Sequence, residues 1–153
     1  MTREDYLTWA LMSTTQIFEH HLRVPASDCT VGNHVYYARY LDWLEAARNE
    51  LFRAIGQPLS KLVADGIMLP ALDVRLTYCG AARFDDRVVV RLWIQEVSRI
   101  KVTFGGEIVN ADTGKALVHA TTVHVCTSLA DKPKRMPPGL TQSLAARVRT
   151  ELA

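Results

Sequence analysis

The chain is poor in cysteine, short of long apolar runs and nearly without net charge, and each shortage removes a class of protein. Its three cysteines, Cys29, Cys79 and Cys126, are odd in number and far apart. That pattern offers neither a disulfide framework nor a zinc-ligand spacing. Cys79 and Cys126 fall in apolar, strand-like runs and are expected to be small core residues. No stretch approaches the ~20 consecutive apolar residues of a membrane span. The opening residues, MTREDYLTWALMSTTQ, lack the basic n-region of a signal peptide, so a reducing, cytoplasmic setting is expected. A formal charge of +2 argues against nucleic acid or an acidic membrane as partner. His20 and His21 would sit on opposite faces of a strand, as would His119 and His124, and no metal centre is expected. Internal repeats and low-complexity tracts are absent.

What remains is a chain of 153 residues, 48% hydrophobic and 22% charged, within the ordinary range of one globular domain. Thr2-Arg3-Glu4-Asp5 resembles a capping box ahead of a short amphipathic helix through Leu11. Phe18, His20, Leu22 and Val24 then alternate with Glu19, His21 and Arg23, a period of two that predicts a strand over about Thr15–Val24. Tyr40, Leu44, Ala47, Leu51 and Ile55 recur at helical spacing, and Leu41, Trp43 and Phe52 widen the apolar surface. Gly56 and Pro58 close that segment, which predicts a helix over Tyr37–Ile55, about 28 Å long. Four further strands follow, around 72–78, 88–95, 102–108 and 116–128. Gly105-Gly106 marks a bulge or close approach, and Asn110–Lys115 a hairpin turn. Pro133, Pro137, Pro138 and Gly139 read as a linker to a polar helix over Thr141–Leu152.

Short turns imply antiparallel neighbours. The economical arrangement is an α+β fold in which a curled five-stranded antiparallel sheet wraps a long central helix. One domain over 1–153 is expected, with its core at about 15–137 and a helical tail over 138–153. Val89, Trp93 and Val97 place apolar groups on the sheet's outer face as well, which suggests burial by self-association.

The polar turn feeding the long helix, Asp28 to Arg39, holds the candidate chemistry. A helix start presents unpaired amides and a partial positive charge, suited to an oxyanion formed in acyl transfer. Asp28, Asn33 and His34 lie beside it. Asp28, Thr30 and Asn33 are equally what any turn before a helix contains.

The segment GNHVYYARYLDWLEAARNELFRAIG, Gly32 to Gly56, resembles the hallmark of hot-dog-fold acyl-CoA thioesterases of the 4-hydroxybenzoyl-CoA thioesterase type. The resemblance runs from about Ile17 to Pro137. Gly66-Ile67-Met68-Leu69-Pro70 resembles that family's first strand after the helix, Ala82-Arg83-Phe84-Asp85-Asp86 its next turn, and Lys134-Arg135-Met136-Pro137 its usual close. The resemblance implies hydrolysis of an acyl-CoA by activated water, without cofactor or metal. It also implies a homodimer or homotetramer with the site at the subunit interface. Many members carry an aspartate where this chain has Thr30, so that base is not transferable. His34-Val35 fits the Asn-x-His-Val pattern of acyl-carrier-protein thioesterases, with Gly32 in place of the asparagine. Glu45 sits near a helix glutamate used by a third branch.

The candidate bases are therefore His34, Asp28 and Glu45, with His34 preferred because an imidazole titrates near neutrality. Against them stand a helix-capping His34, a turn-forming Asp28 and a Glu45 paired with Arg48. Asn33, Val35, Tyr36 and Tyr37 would position the substrate, chiefly through backbone amides near Tyr36 and Tyr37. Cys29 is read as structural. Ser98, Arg99 and Lys101, with Lys134 and Arg135, are the candidates for meeting the phosphates of coenzyme A. Trp43, Tyr36 and Met68 could line the acyl pocket or simply pack in the core. A hydratase or dehydratase on enoyl or hydroxyacyl thioesters, and a non-catalytic acyl-CoA-binding module, are the competing readings.

Overall fold

Alternating apolar residues build the sheet, and an apolar stripe at helical spacing fills it. In the computed structural model, which describes residues 16–150, β1 spans Phe18–Arg23, β2 Ala71–Tyr78, β3 Arg87–Val97, β4 Lys101–Asn110 and β5 Ala116–Val125. Helix α1 spans Arg39–Ala54, α2 Leu59–Ala64 and α3 Pro138–Ala145. The strands form one antiparallel sheet in the order β1-β3-β4-β5-β2. β1 and β2 are thus the edges, and the sheet does not close.

The concave face carries Val88, Val90, Leu92 and Ile94 of β3 against Val102, Phe104 and Ile108 of β4, all nearly inaccessible. Helix α1 lies in that trough and buries Tyr40, Trp43, Leu44, Ala47, Leu51 and Phe52 there. Phe52 meets Phe104 edge to face with ring centroids 6.0 Å apart. Each large side chain so buried is worth about 1.5–3 kcal/mol before entropy is subtracted. The helix ends in a Schellman motif. Gly56 adopts φ 75°, its amide bonds Arg53 O, and the Gln57 amide bonds Phe52 O.

Gly105 and Gly106 serve close approach and not a bulge. Gly106 lies in register with Leu92 and Ala120, and a Cβ there would sit 3.2 Å from Leu44 of α1. Gly105 faces the other way and is crossed by the Trp93 indole. The irregularities in the sheet fall instead between Ala71 and Asp73, between Ile94 and Glu96 and between Ile108 and Val109.

Several expectations need correction. Gly66–Pro70 is not a strand; it makes one bridge, Met68 to Thr127, and Pro70 has no amide to extend a ladder. Cys79 is exposed because β2 is an edge. The tail helix starts earlier than expected, with Pro138 at its first turn, and it is not polar throughout. Leu140 and Leu144 are in the core, and the chain after it returns to β3, where the Arg149 amide bonds Ile94 O. Val89 is already buried within the chain. Of the ten large apolar residues exposed among those described, six are Leu72, Val74 and Tyr78 of β2 and Tyr36, Tyr37 and Leu41 at the start of α1, the others being Val31, Val63, Phe84 and Leu129. The expected N-terminal capping box and helix lie outside the described residues. Among those residues no helix is long and apolar enough to cross a membrane.

Candidate active site

The approach to α1 is a tight hairpin. Cys29 and Val35 pair across it, and the Thr30 amide and hydroxyl both bond His34 O. Gly32 and Asn33 take positive φ at its tip. Val35 points into the core, so His34 on the opposite parity is exposed and makes no hydrogen bond with Asp28. Asn33 ties the hairpin to the β2–β3 connection through its side-chain oxygen, which accepts the Phe84 amide at 3.0 Å.

Asp28 is held in place by α1. Trp43 Nε1 donates to its carboxylate at 2.9 Å, and Arg39 Nε lies 3.8 Å away. Trp43 is thereby a buried anchor and not a pocket wall. The Asp28 carbonyl accepts the Tyr36 amide, and the Val35 amide is spent on Ala82 O. Those two amides therefore cannot polarise a carbonyl. The open donors are one step further on: among the described residues, Tyr37 and Ala38 have no backbone acceptor. Their position is fixed by Tyr78, whose hydroxyl donates to Tyr37 O at 2.9 Å, and by Tyr40, whose hydroxyl accepts the Ala82 amide. Burial pushes the Tyr40 and Tyr78 phenols up, so both stay protonated.

One turn past those amides, at Leu41, begins a cleft of about 300 Å³ between α1 and the β2 edge, within the usual range for a small-molecule site. Leu44, Leu92, Phe104 and Ala120 supply its apolar walls, and Asp42, Glu45, Arg48, Thr122 and His124 its polar ones. Glu45 is clasped by Arg48 through two bonds of 2.8 and 3.0 Å. Arg48 also donates to Leu69 O at 3.2 Å and lines a second, apolar cavity of about 240 Å³ beside Met68. His124 is buried, with its pKa lowered to about 4 by desolvation first and by the Arg48 charge second. Of the three expected bases, Glu45 alone faces the cleft.

Thr122 and His124 were not among the expected residues. The signal for them was nevertheless present: they continue the parity of Val118 and Ala120 on β5, so two polar groups stand where the strand should be apolar.

The two expected basic clusters become one. Met136 donates its amide to Arg99 O, Lys134 donates to Cys126 O, and Cys126 donates to Ile100 O. The segment with Lys134 and Arg135 therefore runs alongside the β3–β4 turn with Arg99 and Lys101, and all four are exposed. Ser98 shapes the turn, its Oγ accepting the Lys101 amide at 3.0 Å. This cluster lies at the far end of β5 from the helix start, because Tyr78 pairs with Val118 while Ala71 pairs with His124. Among the described residues no group of acids, histidines and cysteines is placed to hold a metal.

Comparison with known proteins fits this geometry. A putative esterase from Synechocystis is 31% identical over 133 residues, covering 86% of this chain and 80% of that protein. The acyl-CoA thioester hydrolase YbgC of Escherichia coli is 29% identical over 130 residues, covering 84% and 96%. The crystal structure of a 1,4-dihydroxy-2-naphthoyl-CoA thioesterase from Synechocystis superposes with a TM-score of 0.78 at 23% identity, covering 84% of this chain and 96% of that one, a likeness of fold. The curled sheet around a central helix is thus the hot-dog fold. Residues 24–144, most of the chain, match the model of one family, and the chain belongs to the thioesterase-like superfamily.

Proposed function

We propose that the protein hydrolyses an acyl-CoA thioester to the free acid and coenzyme A, with its site completed by a second copy of the chain. The observation that carries this reading is the pair of open amides, Tyr37 and Ala38, at the head of a helix bordering a ligand-sized cleft. Preorganised donors at a helix start stabilise the negative charge that a thioester oxygen gains on attack.

Within one chain the parts are too far apart. Glu45 lies eight residues beyond Tyr37, about 12 Å along the axis, and the basic cluster is at the other end of β5. A two-fold pairing of β2 edges removes both gaps. Two-fold-related edge strands run antiparallel, so the Ala71 end of one β2 meets the Tyr78 end of the other. That brings one copy's basic cluster toward the other's helix start. An axis near Val74 and Leu41 also brings the partner's Glu45 opposite Tyr37, since Leu41 is midway between positions 37 and 45. The exposed apolar groups of β2 and the helix start would be covered by the same contact.

In this arrangement Glu45, held in place by Arg48, takes a proton from water as the oxygen attacks the carbonyl carbon. The carbonyl oxygen becomes an oxyanion against the Tyr37 and Ala38 amides. The tetrahedral intermediate collapses with loss of the thiolate, which the basic cluster retains through its phosphates. No cofactor enters. This chemistry suits a cytoplasmic dimer or higher assembly.

The test is thiol release from a panel of acyl-CoAs by the intact protein. Glu45→Gln is expected to lower kcat at least about a hundredfold, and His34→Ala to change it by no more than about threefold. The reverse pattern would return the base to His34. Absence of thiol release from every acyl-CoA, with tight binding retained, would favour a binding module.

A further inference from the structure

The far wall of the cleft has a polarity that water activation does not require. Thr122 and His124 project from β5 onto the concave face. His124 is 5% exposed, and its Nδ1 lies 3.0 Å from Leu69 O. A carbonyl oxygen only accepts, so Nδ1 carries the ring hydrogen. Nε2 is then a bare acceptor, and Thr122 Oγ1 at 3.1 Å donates its hydrogen to it. The hydroxyl of Thr122 is thereby spent as a donor, and its lone pairs are what it can still offer the cleft. Glu45 adds carboxylate lone pairs on the helix side. Arg48 has spent three of its five N–H groups on Glu45 and Leu69.

A proton-relay reading of the same pair is disfavoured. Thr122 could attack a carbonyl only by passing its proton to His124. The resulting imidazolium would be buried beside the Arg48 guanidinium, the two causes that hold His124 neutral. The pair is built to hold a group in place.

We propose that Thr122, oriented by His124, is a specificity-determining residue that selects acyl groups bearing a hydroxyl, whose hydrogen is donated to Thr122 Oγ1. A hydroxyl also presents an oxygen that can accept from the remaining N–H groups of Arg48. The acyl carbons lie against Leu44, Leu92 and Phe104. An acyl group without the hydroxyl would expel water from Thr122 and give nothing back, the usual reason a polar wall rejects an apolar ligand. The inference rests on the thioesterase reading and names the substrate class of that site.

The experiment compares CoA thioesters that differ by one hydroxyl. Phenylacetyl-CoA is set against its ortho, meta and para hydroxylated forms, and hexanoyl-CoA against ω-hydroxyhexanoyl-CoA. In the unmodified protein, kcat/KM for at least one hydroxylated member should exceed its parent by about tenfold, the value of one good hydrogen bond. That ratio should collapse toward one in Thr122→Val and survive in Thr122→Ser. A ratio of one or less for every pair overturns the proposal without reference to any variant. So does a ratio that persists in a folded Thr122→Val. If no thioester is hydrolysed, the thioesterase reading fails, and the same pairs are read by calorimetric dissociation constants. A tenfold preference lost in Thr122→Val then still upholds hydroxyl selection, whereas equal affinities, or no binding, overturn it too.

Discussion

His124 should make the protein progressively less stable as the pH falls from neutrality, and the size of the effect follows from its surroundings. The imidazole is 5% exposed and bonded through Nδ1 to Leu69 O. Its pKa drops from 6.5 to about 4 through burial first and the Arg48 charge second. In the unfolded chain both causes vanish and the ring titrates near its ordinary value. Between these two values the unfolded chain binds a proton that the folded one refuses, so stability rises with pH. On acidification, stability is lost from about pH 6.5 downward, and the loss is complete near pH 4. A separation of about 2.5 at ~1.36 kcal/mol per pKa unit makes the full loss about 3 kcal/mol. His20, half-buried and also lowered chiefly by desolvation, acts in the same direction, so the contribution of His124 must be isolated as a difference. The assay is urea unfolding at fixed protein concentration from pH 8 to pH 4, comparing the unmodified protein with His124→Gln, which keeps a donor for Leu69 O but does not titrate. The gap between the two curves should close by about 3 kcal/mol across that window. Parallel curves, separated by a constant to within about 0.5 kcal/mol, would refute the account.

Two further perturbations test the frame and the substrate end of the site. Gly105→Ala places a methyl against the Trp93 indole, which is itself stacked under Arg149 at 4.9 Å; the ring must leave, at a cost of about 1–3 kcal/mol. A thermal melt shifted by less than a degree would show that the outer face is looser than described. Reversing two charges of the merged cluster, Arg99→Glu with Lys134→Glu, should raise KM for acyl-CoAs by about tenfold while leaving kcat within about twofold, and the defect should shrink as salt is added. An unchanged KM would remove those residues from phosphate binding.

Most of the architecture could be read from spacing, since local patterns and tertiary demands agree there. The stripe from Tyr40 to Ile55 specifies a buried helix whatever surrounds it, and Gly56 ends it where a left-handed residue is needed. The alternating runs of β3, β4 and β5 likewise need only a face to bury. Elements that depend on distant partners were harder to see. Helix α2 has six residues, below the length at which a helix holds itself, and it stands because Leu62 packs into the core. The tail was masked by its prolines, which read as a linker although Pro138 begins a helix. Position along the sheet was hidden too: Cys79 and Val74 look like core residues until the strand order makes β2 an edge.

The site divides along the same line. The helix start itself was legible, because the turn chemistry before it and the periodicity after it are both local. Which amides remain open was not, since the Val35 amide is lost to Ala82 and the Tyr36 amide to Asp28, and only the first partner lies in a distant loop. The merged basic cluster needed the register of Met136 on Arg99, a contact between segments far apart in the chain. Thr122 and His124 are the instructive omission. Alternation on β5 assigns them to the same side as Val118 and Ala120, and a polar pair inside a core needs a reason. The protein supplies internal partners for every hydrogen of that pair, through His124 and the carbonyl of Leu69. What the described residues do not supply is a donor for Thr122 Oγ1, and Thr122 lines the cleft from which one can arrive.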